Sequence, residues 1–163
     1  MAATVNVAGP VLIKTGTGSA SALESLGYTV NGARITENAY FSDVPGDENG
    51  GNEGPPIDVQ YFGQVDLIRL EMSKYDPAVW AKIVPLLKGG TAGSAGTVGT
   101  LVFSGSADFR VLLLGANFTR NYVRCIPRQP QDINCGAKFS TLVLEFECHK
   151  DGSGVLWNTT TTG

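Results

Sequence analysis

Apolar and polar residues alternate most cleanly near the end of the chain, between Phe139 and His149. Leu142, Leu144, Phe146 and Cys148 take one phase there, and Thr141, Val143, Glu145 and Glu147 take the other. A period of two marks a strand with one buried face. The same pattern runs through Ile57-Asp58-Val59-Gln60-Tyr61 after the chain break at Gly54-Pro55-Pro56. It resumes from Val65 to Met72, where Ile68, Leu70 and Met72 face one way with Arg69 and Glu71 between them. Gly63 allows a turn or bulge between these runs, and the opposite phase of Val65 and Leu67 points to a bulge or a doubly covered strand near Asp66. Further strands are expected at Val11–Ile13, Leu101–Ser104, Phe109–Leu114 and Thr119–Ile126. Asn31-Gly32 is the favoured dipeptide of a two-residue hairpin turn, with Tyr28–Val30 and Arg34–Tyr40 as its arms.

One segment has a different period. Asp76-Pro77 supplies an N-cap oxygen and a preset φ at the first helical position. Val79, Ile83 and Leu86-Leu87 follow at helical spacing, and Pro85 ends or kinks the helix. Trp80, Ile83 and Leu87 are its expected anchors on a sheet, with Trp80 the most sensitive. A lone short helix needs such a sheet to bury its apolar face. The pattern therefore predicts a mainly β fold: a β-sandwich or barrel of seven to eight strands with one flanking α-helix. A single domain over residues 1–163 suits the length, with a radius of gyration of roughly 15 Å. Two segments interrupt it: a loop at 42–56 and a flexible Gly/Ser/Thr link at 89–100.

Composition narrows the function classes. Charged residues make up 17% of the chain, below the usual quarter, and there are 21 glycines. A thinly charged, glycine-rich β domain suits assembly with copies of itself. A net charge of −3 gives no general affinity for nucleic acid. Neither a signal-peptide layout nor an apolar run of bilayer length is present, so synthesis in the cytoplasm and no membrane partner are expected. Cys125, Cys135 and Cys148 are odd in number and form no CxxC pair, so they imply no disulfide framework.

Candidate chemistry is sparse. His149 and Cys148 alternate onto opposite faces and make a poor dyad or metal pair. Gly16-Thr17-Gly18 lacks the Lys-Ser/Thr of a phosphate loop. Asp43, Asp47, Glu48 and Glu53 lack the ligand register of a calcium loop. No carboxylate pair, catalytic constellation, cofactor site or metal site is expected, and the chain reads as a non-enzyme. Arg120, Tyr122, Arg124 and Ile126 share one phase if Thr119–Ile126 is a single strand. With one stacking aromatic, that face suits a solvated surface or a subunit contact better than nucleic acid.

The order of features resembles the tail tube proteins, or major tail proteins, of tailed bacteriophages. The residues that carry it are Leu26-Gly27-Tyr28-Thr29-Val30-Asn31-Gly32-Ala33-Arg34-Ile35, the long loop, Pro56-Ile57-Asp58 with its strand, and the helix from Pro77 to Leu87. The closing run Lys138–Glu147, Asp151-Gly152 and Leu156 completes it, so the likeness spans about Val11 to Trp157. The three cysteines are outside that family's pattern. The resemblance implies stacked, hexameric homo-oligomeric rings forming a virion tail tube, with other tail proteins as partners and genomic DNA as transient, unspecific cargo. On that reading Asp43, Asp47, Glu48 and Glu53 are expected at an inter-ring contact, and Arg120, Arg124 and Arg128 at a subunit contact. A capsid decoration or cement protein, and a small β-barrel binding module or metal-dependent enzyme, are the alternatives.

Overall fold

A computed structural model describes residues 10–17, 22–47, 50, 53–83, 109–135 and 140–161. Glu48, Leu87, the 89–100 link and the expected strand at Leu101–Ser104 lie outside those residues. The fold is mainly β with one helix among the described residues. The strands are β1 (Leu12–Thr17), β2 (Glu24–Val44), β3 (Asp58–Tyr75), β4 (Phe109–Leu114), β5 (Thr119–Tyr122), β6 (Arg124–Cys135), β7 (Ser140–His149) and β8 (Trp157–Asn158). The helix α1 (Pro77–Ile83) follows β3.

The eight described strands belong to one antiparallel sheet in the order β6-β7-β3-β2-β1-β4-β5-β8. β5 and β6 stand far apart in that order, yet only Val123 separates them in the chain. The sheet must therefore fold over on itself. Phe109 on β4 stacks against Phe146 on β7 across the enclosed space, with ring centroids 6.1 Å apart, although these strands are not neighbours. One core results, containing Ile13, Leu26, Ile68, Leu70, Met72, Val111, Tyr122, Leu142, Leu144 and Phe146. The alternation of β7 and of the second half of β3 is thus the inward phase that the sequence pattern predicts.

The Asn31-Gly32 pair corrects the expected hairpin. β2 runs straight through it, and between Thr29 and Ala33 four positions on β2 advance against two on β3. The dipeptide forms a bulge because β3 is paired on both sides of it. Gly32 uses its positive φ of 80° there, and the Asn31 amide donates to Glu71 Oε2 at 3.4 Å. The real partner of β2 is β3, and the turn between them lies further on. Ser42–Val44 are strand rather than loop, so the 42–56 loop begins only after Val44.

The helix start follows its sequence signals. Asp76 Oδ1 accepts from the backbone N–H groups of Ala78 (2.8 Å) and Val79 (3.4 Å), the N-cap geometry. Val79 and Ile83 are the buried helical residues. Trp80 is only half-buried, edge-on to Tyr75 with centroids 6.4 Å apart. Ile83 is thus more deeply buried than Trp80, the expected most sensitive anchor, although the Trp80 ring also packs against the core. Trp157-Asn158 pairs with β5, and the Asn121 amide donates to the Thr160 carbonyl at 3.2 Å.

Candidate functional site

Among the described residues, no further strand lies beside the distal half of the β2–β3 ladder. β3 pairs with β7 only from Asp66 to Met72, and β2 pairs with β1 only from Glu24 to Tyr28. Asn38–Val44 and Asp58–Val65 therefore form a two-stranded arm, about 20–25 Å long. A bulge at Phe62-Gly63, where Gly63 has a φ of 133°, twists it, so the permissive glycine acts as expected. Tyr40, Phe41, Ile57, Val59, Tyr61 and Phe62 are all exposed along it, Phe41 at 62% and Phe62 at 60%. Phe41 and Tyr61 are register partners, and their rings lie 5.4 Å apart.

The arm ends in acid. Asp43, Asp47, Glu53 and Asp58 are exposed at its tip, so three of the four loop acids singled out by sequence gather there and the fourth, Glu48, is undescribed. Ile57 donates its N–H to the Val44 carbonyl at 3.0 Å, closing the base of the connection.

A row of charges crosses the outer face of the sheet. Arg34 on β2, Arg69 on β3, Glu145 on β7 and Arg128 on β6 stand opposite one another in register. Arg69 pairs with Glu145 at 3.1 Å, and Arg128 pairs with Glu147. A cavity of about 280 Å³ lies among Arg34, Thr36, Leu67, Arg69, Arg128 and Glu145. Sequence reasoning singled out Arg128 but missed Arg34 and Arg69. Their signal was present, since Arg69 falls in the outward phase between Ile68 and Leu70.

Arg120 does not share that face. The single strand expected over Thr119–Ile126 breaks at Val123, which is buried in the fold-over corner, and this resets the phase. Arg120 Nη1 instead donates to Glu37 Oε1 at 2.7 Å and to the Tyr122 hydroxyl at 3.1 Å. Its guanidinium also lies 4.5 Å from the Trp157 ring centroid and 5.4 Å from that of Phe118. Arg124, opposite His149 in β7, lies on the β6 side of the corner.

Below Arg120 is a buried acid that sequence reasoning treated as one of several scattered carboxylates. Asp66 is fully buried; its Oδ2 accepts from the Tyr122 hydroxyl at 3.0 Å and its Oδ1 from Gln64 Nε2 at 2.8 Å. Arg120 Nη1 is 3.9 Å away. Burial pushes the Tyr122 phenol well up; the Arg120 hydrogen bond opposes this, while the Asp66 charge adds to it. Both Asp66 oxygens and the Tyr122 hydroxyl find partners within this cluster, as in a structural tie.

Elsewhere, His149 Nε2 approaches Glu147 Oε1 at 2.7 Å, while Cys148 points into the core on the opposite face. Among the described residues no group of three or more His, Cys, Asp and Glu is placed to hold a metal ion. No helix among them is long and apolar enough to cross a membrane. Comparison with family models and with curated proteins finds no match.

Proposed function

We propose that this chain is a structural, self-assembling protein whose arm is covered by neighbouring copies, and that the assembly is the stacked-ring tube of a phage tail. The observation that carries the reading is the arm itself. A two-stranded ribbon is marginal in water on its own, and this one exposes six large apolar side chains. Among the described residues its strands have no ladder partner beyond each other, and such edges pair readily with another strand. Laid on a second copy, the ribbon gains apolar cover and edge partners together. The acidic tip suits the arginine row on the outer face of a copy in the next ring, where Arg34 and the Arg69–Glu145 and Arg128–Glu147 pairs lie. The tail tube, rather than a capsid decoration protein, is favoured by the long arm with its acidic tip, which suits reaching from ring to ring.

Sedimentation velocity over a concentration series tests this reading. Growth from monomer through a discrete ring species to polymer is the expected course. A species that remains monomeric, or stops at a trimer, removes the tube and leaves the decoration reading.

A further inference from the structure

The cysteine pair at the sheet edge holds chemistry that assembly does not use. Cys125 on β6 and Cys148 on β7 are direct register partners, and their Sγ atoms lie 3.1 Å apart. Both are buried, at 3% and 0% exposure, and both are free thiols. Opposed residues of an antiparallel ladder have Cα atoms about 4.5–5.5 Å apart, within the span of a disulfide. Closing the bond to about 2.05 Å needs a sulfur movement of only about 1 Å, within reach of a side-chain rotation. The position is also mechanically informative. Among the described strands β6 ends the order, with β7 as its ladder partner, and Cys125 comes two residues after the Val123 corner where the sheet folds over.

We propose that Cys125 and Cys148 form a cross-strand disulfide when the chain meets an oxidising medium, clamping the edge strand β6 onto β7. The oxidant is a low-molecular-weight disulfide. Cys125, the less buried of the two, attacks it as the thiolate once β6 loosens from the edge, having given up its proton to solvent. One reagent thiol leaves, and a mixed disulfide remains on Cys125. The Cys148 thiolate then attacks Cys125 Sγ and expels the second reagent thiol. The two cysteines lose two protons and two electrons, and the reagent's S–S bond becomes two thiols. Burial pushes the Cys148 thiol well up, which makes this closing step slow until the edge opens. In a reducing cytoplasm both thiols persist, and outside it the bond accumulates. The inference does not depend on the assembly reading.

The test uses the full chain treated with oxidised glutathione, and separately its C135S variant, which leaves only Cys125 and Cys148 as thiols. After denaturation and alkylation, peptide mapping of the wild-type chain should find Cys125 linked to Cys148 with Cys135 alkylated. The oxidised C135S chain should titrate no thiols in denaturant and two after reduction. Its Tm should stand roughly 5–10 °C above that of the reduced form. Two titratable thiols after prolonged oxidation, a bond to Cys135, or chains joined to one another would each overturn the proposal. Wild-type mapping still decides it if C135S fails to fold.

Discussion

The Tyr122 hydroxyl donates to the buried Asp66 carboxylate at 3.0 Å, joining β5 to β3 across the folded sheet. The two strands are not neighbours, so no ladder hydrogen bond makes this link. Arg120 caps the pair from the β5 side and reaches on to Glu37 on β2. The fold-over therefore depends on a polar tie as well as on the core beneath it.

Removing that tie should be costly for one oxygen atom. Tyr122→Phe leaves a buried Asp66 oxygen without its donor, and is expected to destabilise the chain by about 1–3 kcal/mol. Chemical denaturation measures it. A midpoint unchanged from wild type would mean that water or Arg120 replaces the hydroxyl at no cost.

The same residue predicts an alkaline limit. Burial raises the Tyr122 phenol above its unfolded value near 10. A group whose folded pKa is raised lends stability in full below the unfolded pKa and loses it as pH climbs towards the folded one. Wild-type Tm should thus fall faster than that of Tyr122→Phe above about pH 10. Parallel curves would show that the phenol ionises without penalty.

On the helix, Ile83→Ala should cost about 2–5 kcal/mol, and Trp80→Ala clearly less because its ring is only half-buried. Urea midpoints of the two variants rank them. The reverse order would place Trp80, not Ile83, at the centre of the contact.

Gly27 offers a backbone test. Its φ is 148°, and a Cβ added there would run into the Lys74 carbonyl oxygen. Gly27→Ala should destabilise by more than about 1 kcal/mol, since strain and collision act together. At Gly32 a Cβ meets open space, so Gly32→Ala carries only the φ penalty and should be the milder change. Thermal melts of both variants check the order.

The sequence pattern made much of this legible because local signals and the final environment agree. Asp76-Pro77 caps α1, and Leu142, Leu144, Phe146 and Cys148 face the core as their alternation says. Where the reading failed, a distant partner overrode a local preference. Asn31-Gly32 has turn chemistry, but β3 pairs along both sides of it and makes it a bulge. The strand break at Val123 follows from folding the whole sheet, and no residue in Thr119–Ile126 announces it. The Asp66–Tyr122 contact joins positions 56 residues apart, beyond any periodicity. The acids of the arm tip were legible as a cluster, but not the arm, because Ser42–Pro56 reads as one loop from composition alone.

The tip makes a separable prediction. Deleting Asp47 to Glu53 shortens the connection beyond the Val44–Asp58 end of the ladder, so folding of the monomer should survive. Stacking of rings should not, if the tip meets the arginine row. Circular dichroism and micrographs of the deleted protein decide between these outcomes, and tubes of normal length would remove the inter-ring role.

Negative-stain electron microscopy of the purified chain beside a variant with Tyr40, Phe41, Tyr61 and Phe62 all changed to Ser tests self-assembly through the arm most directly. These four side chains are exposed, so the variant should keep the wild-type fold and melt cooperatively. The wild-type chain should form rings and tubes, and the variant should stay dispersed as single subunits. Identical tubes from both, or no ordered assembly of the wild type at any concentration, would contradict the account.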